Sequence, residues 1–208
     1  MTLTLFNLYH FVTFFFVGYT QGRKNLALRK PAYQSSTTEY SFGGRTHLGV
    51  ADYAVDGNLE VEEIGSTCIR AGWDLNPWWA VDLQDIYRID EVAIVTRNWG
   101  FIMTNFSVEL SAFTDGTPNG FINPVTCFYE SGWVPQGVTR VYPCSTSTMA
   151  RFVKVTRWDW AADRVMAFCQ VMVYGSDTAS PQQNTKDLIW YGGESVPVQE
   201  TVHLKKRN

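Results

Sequence analysis

What most constrains this chain is the way its apolar residues are spaced. "WWAVDL" (78–83), "RIDEVAIVT" (88–96), "NFSVELSAF" (105–113), "RFVKVTRW" (151–158) and "CQVMVYG" (169–175) alternate apolar with polar residues or are dense in β-branched and aromatic ones. Turn residues separate them, among them Asp56-Gly57, Asp115-Gly116 and Asn119-Gly120, dipeptides suited to positive φ. No stretch keeps a helical stripe, so the reading is all-β, and the spacing of strands and turns is that of a β-sandwich. A length of 208 residues, 45% hydrophobic and 15% aromatic, provides for one domain of that size with a substantial core.

The two ends differ from this middle. The first 22 residues, "MTLTLFNLYHFVTFFFVGYTQG", hold no Asp, Glu, Lys or Arg, an apolar heart at Phe11 to Val17, and small residues at Gly18, Thr20 and Gly22. That pattern reads as a signal peptide and is too mixed for a membrane span, so secretion is expected. From Ser176 the composition turns polar with scattered Pro and Gly, and 176–208 reads as a flexible tail after a domain at 23–175. Cys68, Cys127, Cys144 and Cys169 are an even set with no CxxC spacing. In an exported chain they imply disulfides, with three pairings open.

Charge and motif content narrow the function. A net charge of −3 and no Lys/Arg-rich run inside the domain argue against nucleic acid. The histidines are His10, His47 and His203, one in the leader, one in the domain and one in the tail, and GxSxG, HExxH and phosphate-loop motifs are lacking. An enzyme is therefore not expected. Trp78 and Trp79 fall on opposite faces of one strand, so one ring belongs to the core and the other closes the far side or offers a platform. Asn105-Phe106-Ser107 is an N-glycosylation sequon at the start of a strand, and "RWDWAADR" (157–164) is an aromatic and charged loop.

Four fragments taken together, "NLALRKPAYQSS" from Asn25, "YAVDGN" at 53–58, "NPWWAVDL" at 76–83 and the closing "CQVMVYG", resemble the F-type lectin (fucolectin) family of discoidin-like domains over about Asn25 to Gly175. The resemblance implies an eight-stranded jelly-roll β-sandwich and the disulfides Cys68–Cys169 and Cys127–Cys144. It also implies a calcium ion held by the backbone oxygens of Tyr53 and Cys169 and by Asp56, Asn58, Thr67 and Gln170. A hard cation asks for six to eight oxygens, which a tight turn gathers at once. Gln170 stands where the family has Glu, one negative charge fewer, which implies weaker calcium binding.

The same resemblance places the sugar. Family members hold fucose with a His, an Arg 27 positions later, an Asp two beyond it and a second basic residue five further on. Here Arg97 is the retained Arg, Arg70 stands in the His position, Trp99 in the Asp position and Thr104 in the second basic position. Gly100 and Phe101 replace an adjacent Cys pair, and His47, in the Tyr40 to Val50 loop bordering the pocket, is a candidate for the missing imidazole. Three of four key positions have changed, so the implied partner is a glycan, fucosylated or, because two guanidiniums stand together, acidic. Weak binding by a single domain implies avidity through homo-oligomers. The family is generally linked to innate immune recognition of glycans. The alternative is an extracellular discoidin-like adhesion module that binds protein or lipid.

Overall fold

The computed structural model describes residues 23–42, 44–61, 67–72, 74–98, 100, 103–158, 165–177, 188–191 and 194–197. Its main sheet contains β1 (Ala32–Gln34), β4 (Trp78–Val95), β5 (Thr104–Ser111), β8 (Val125–Trp133), β9 (Thr139–Arg157) and β10 (Gln170–Asp177), all antiparallel. Two of these strands are long enough to serve both layers of a sandwich. The first part of β4 pairs with β1 and with Phe152–Thr156 of β9, whose other edge pairs with β5 and so leads to β8. The second part, from Tyr87, pairs with β10 and with residues 139–150 of β9.

The register breaks between Asp82 and Tyr87, and local chemistry shows why. Asp82 accepts from the Gln84 N–H at 2.8 Å, Asp85 accepts from the Ile86 N–H at 2.7 Å, and Gln84 takes a positive φ of 68°. These short Asx contacts bend the strand and turn it from one layer to the other.

Alternation sorts the side chains as the sequence predicts. Trp79, Val81 and Leu83 of β4, Phe106, Val108 and Leu110 of β5, and Val153 and Val155 of β9 enter one core with Ile89, Val92, Tyr142, Val171 and Val173 from the other layer. Of the tryptophan pair, Trp79 is the core ring: its indole meets Phe168 edge-to-face at 5.7 Å and donates to Ala51 O at 3.0 Å. Trp78 is half-buried. Outside, Arg151 grips Asp82 through two hydrogen bonds of 2.7 Å, and Lys154 pairs with its cross-strand neighbour Glu109 at 3.1 Å.

Both disulfides have formed as the resemblance implied, Cys68–Cys169 and Cys127–Cys144. The segment around His47, read as a loop, is a two-stranded ladder of β2 (Glu39–Phe42) and β3 (Arg45–Leu48), with Tyr40 opposite His47. Two short strands, β6 (Phe113–Thr114) and β7 (Phe121–Ile122), pair beneath the Asn119-Gly120 turn. β10 continues to Asp177, and in the C-terminal segment β11 (Leu188–Tyr191) pairs with β12 (Glu194–Pro197) on either side of a Gly-Gly dipeptide in the sequence. The N-terminal 22 residues lie outside the described residues, among which no helix is long and apolar enough to cross a membrane.

Candidate functional site

The sequence fragments that suggested a site are the ones that fasten its loops. Asn25 Oδ1 accepts from the N–H groups of Ala27 and Val173, both at 3.0 Å, which ties the first turn to β10. Gln34 Nε2 donates to Gly49 O at 2.8 Å, and Ser36 Oγ donates to Gly72 O at 2.8 Å, so the end of β1 holds the loops before Ala51 and after Arg70. The Arg70 N–H donates to Gly49 O at 2.9 Å, and Ile69 and Ala71 bond to Phe168 and Met166. Segments 67–71, 95–98 and 165–169 thus lie side by side at one end of the sandwich, joined by the Cys68–Cys169 bridge and by Cys169 N–H to Val95 O at 2.8 Å.

At this end the expected sugar residues separate into two places. Arg70, His47 and a residue the sequence reading missed, Tyr40, form one cluster. The Arg70 guanidinium lies 5.6 Å from the centre of the Tyr40 ring, and the His47 imidazole stacks on the same ring at 5.3 Å. Tyr40 is largely buried, while Arg70 and His47 are half-exposed, so the ring orients two donor groups that solvent reaches. The signal for Tyr40 was present as "EYSF" and "RTHL" flanking Gly-Gly, a hairpin pattern that sets Tyr40 across from His47.

Arg97 occupies the other place. It lies two residues past the end of β4 and is only 3% exposed. The Gly137 N–H donates to Arg97 O at 2.7 Å, the Asn98 N–H donates to Val61 O at 3.1 Å, and Gln136 Nε2 donates to Gly100 O at 2.9 Å, so its loop is fixed on both sides. Gly100 has a φ of 86°, and a Cβ there would come within 3.6 Å of the guanidinium. The Gly100 backbone therefore covers Arg97 at the place where the family carries a cysteine. Thr104 opens β5, half-buried and in register with Trp133. Trp99 and Phe101 lie outside the described residues.

Of the residues expected to hold calcium, Tyr53, Asp56 and Gln170 come together. Tyr53 lies in a short 3-10 helix, Ala51–Val55, which Asp56 and Gly57 terminate, Gly57 with a φ of 88°. Asp56 Oδ1 accepts the Asn58 N–H at 2.7 Å, and Asn58 Oδ1 accepts the Glu60 N–H at 3.0 Å. Gln170, wholly buried at the start of β10, reaches this turn with its side-chain amide. Cys169 is one half of the disulfide and Thr67 adjoins the other, with Thr67 Oγ1 3.6 Å from Cys68 Sγ.

The fit to a cation can be tested at the Gln170 amide, which has two orientations. In one, Oε1 turns toward Asp56 Oδ1 and Tyr53 O, the convergence a cation asks for, but Nε2 then faces the Gly57 N–H, donor against donor. In the other, Nε2 donates to Asp56 Oδ1 and to Tyr53 O, each at 3.2 Å, and Oε1 accepts from the Gly57 N–H at 3.1 Å. The second satisfies both ends of the amide, and for a wholly buried side chain that decides between them. A carboxylate in this position would offer one oxygen to the cation and one to Gly57. The amide offers only one oxygen, and the Gly57 N–H takes it. The donor set does not fit calcium. Among the described residues no group of three or more His, Cys, Asp or Glu side chains gathers elsewhere.

The larger hollows lie apart from both places. One of about 420 Å³ is lined by Arg29, Lys30, Asp52, Asp56 and Gln84, and another of about 370 Å³ by Lys24, Asn25, Leu26, Leu28, Lys30 and Tyr87. In the "RWDWAADR" loop, Arg157 is buried and donates to Val165 O, and the Trp158 indole donates to Ser107 Oγ at 2.9 Å, so its first two residues serve packing. Asn105 of the sequon has a φ of 47°, and its Oδ1 accepts from the Tyr129 hydroxyl.

Comparison with known proteins places this frame. The NedA-like galactose-binding domain family matches residues 53–155. Fucolectin-5 of Anguilla japonica is 32% identical over 139 residues, which cover 66% of this chain and 69% of that protein. The chain belongs to the fucolectin, or F-type lectin, family. Fucolectin of Anguilla anguilla is 29% identical over 65% of this chain and 82% of its own length. Among solved structures, the fucolectin from striped bass (Morone saxatilis) serum superposes with a TM-score of 0.61 at 25% identity, over 74% of this chain and 48% of that one. This F-type lectin thus spans about half the length of the bass protein. The lectin domain of lectinolysin, solved in complex with Lewis b antigen, superposes with a TM-score of 0.57 at 25% identity over 74% of this chain and 98% of that domain.

Proposed function

We propose that this chain is an exported carbohydrate-binding lectin whose sugar site is built on Arg70, Tyr40 and His47, with Arg97 as a buried support. The observation that carries the reading is the meeting of a guanidinium and an imidazole on one aromatic ring, at 5.6 and 5.3 Å, at the end of the sandwich where the family resemblance places its sugar. Such a set supplies charged donors for hydroxyl, carboxylate or sulfate oxygens, and an apolar face for the C–H side of a pyranose. The imidazole comes from the β2–β3 hairpin, whereas the position that holds it in the family is taken by Arg70. With a guanidinium and an imidazole gathered on one ring, the favoured ligands are acidic glycans, sialylated or sulfated, ahead of neutral fucosides. Relatives named fucolectins and the Lewis b complex support glycans as the ligand class.

A glycan array on the full secreted chain, with wild type beside Arg70→Ala and Arg97→Ala, tests this reading. Binding to an acidic class that Arg70→Ala abolishes is the expected outcome, and equal binding of neutral fucosides would reject the acidic preference. One observation favours a second reading, a non-sugar adhesion module: Arg97, the retained fucose ligand, is 3% exposed and covered by Gly100. Silence toward every glycan on the array would support that module.

A further inference from the structure

The 53–58 turn is joined to β10 through a single side chain. Three hydrogen bonds leave one side chain there: Gln170 Nε2 to Asp56 Oδ1 and to Tyr53 O at 3.2 Å, and the Gly57 N–H to Gln170 Oε1 at 3.1 Å. Gln170 is fully buried, so its amide has to be satisfied within the protein, and both of its ends are used, while Asp56 and Gly57 on the turn face solvent. Gly57 sets the direction of the amide. Its φ of 88° aims the peptide N–H at Gln170, and a Cβ on it would come within 2.9 Å of Leu28 Cδ1, so the turn is held in the conformation that makes the N–H a fixed donor.

We propose that the Gln170 amide nitrogen replaces the calcium ion of this family, so that the 53–58 turn closes onto β10 by hydrogen bonds alone and the protein keeps its structure in calcium-free medium. An –NH2 group carries two protons and bridges two oxygens, as the ion would. It does so without net charge, and Asp56 retains its own charge, which the Asn58 N–H and the amide solvate. A cation could enter only by turning the amide, which would lose all three bonds and set Nε2 against the Gly57 N–H. None of these contacts involves the Arg70–Tyr40–His47 cluster, so melting and calcium binding report on the corner without reference to sugar.

The test uses the full chain and calcium itself. Wild type is melted in millimolar calcium and in EDTA and titrated with calcium by calorimetry, beside Gln170→Glu and Gln170→Ala. The proposal expects one melting temperature for wild type in both media and no binding heat. It expects Gln170→Glu to melt several degrees higher in calcium than in EDTA, because the carboxylate restores one oxygen for the ion and one for Gly57. Gln170→Ala should melt several degrees below wild type in both media alike. A calcium-dependent rise in wild type overturns the proposal, as does a folded Gln170→Glu that ignores calcium. Should Gln170→Glu fail to fold, Gln170→Ala decides: melting at the wild-type temperature would show that the amide holds nothing.

Discussion

The Gln170 corner and the Arg70–Tyr40–His47 cluster lie at the end of one sandwich, and both carry residues that differ from the fucolectin pattern. At the corner, where Gln170 itself is wholly buried, a Gln in place of Glu is matched on both sides: its amide accepts from the Gly57 N–H and donates to Tyr53 O and Asp56 Oδ1. At the half-exposed cluster, an Arg in place of His brings a different partner set, with the imidazole supplied by another strand. The difference follows from solvent. A buried group must find its exact complement of donors and acceptors inside the protein, whereas a half-exposed group is completed by water or by ligand. Burial therefore limits what can stand at 170, and exposure leaves 70 and 47 open to a change of specificity.

The largest effect that would break this comparison lies in what holds the two regions together. Replacing both Cys68 and Cys169 by Ser removes a bridge across 101 residues and should cost about 4–5 kcal/mol of stability by the chain-entropy relation, read as the denaturation midpoint. If the variant lost far less, the corner would be held by the hydrogen bonds without the bridge. Next comes Gly57→Ala, which places a Cβ at positive φ and against Leu28 and should cost about 1–3 kcal/mol. A neutral outcome would mean that the turn relaxes and that Gly57 does not fix the amide.

Arg70→Ala separates the regions from the other side. It removes a half-exposed guanidinium from the Tyr40 ring, so thermal stability should fall by no more than about 1 kcal/mol while glycan binding is lost. Arg97→Ala should lower both, because that side chain is buried. A variant at 70 that unfolds the chain would make the cluster structural.

The smallest effect concerns acid. The Arg151 hydrogen bonds hold the Asp82 carboxyl below its ordinary value of 3.8, and the same contact raises Arg151. A depressed carboxylate contributes stability that is complete above the unfolded value and is lost as pH falls below 3.8 and through the folded one. Solvent reaches Arg151, so the contribution is about 0.5–1 kcal/mol. Asp82→Asn should flatten that acid limb in pH-dependent melts, with no change at either glycan or calcium readout.

The strands were legible in the sequence because alternation reports burial directly, as Trp79, Val81 and Leu83 illustrate. The bend of β4 at Gln84 was not, since an Asx contact at Asp82 looks in sequence like any turn residue. The β2–β3 ladder carried a Gly-Gly signal but short strands, so His47 read as part of a loop and Tyr40 went unnoticed. The identity of Gln170 was visible, and its consequence was not. A single amide in place of a carboxylate reads as a weaker cation ligand until the Gly57 N–H is found 3.1 Å away, a contact between residues 113 positions apart that spacing alone does not reveal.

The account rests most directly on where a sugar lands. Side-chain and backbone NMR of the full chain during titration with N-acetylneuraminic acid, and separately with L-fucose, would locate it. The account predicts shifts at Arg70, Tyr40 and the His47 imidazole, larger for the acidic sugar, with Gln170 unmoved. Shifts confined to the edge strand β8, where Trp133 is 65% and Tyr129 52% exposed, would contradict it.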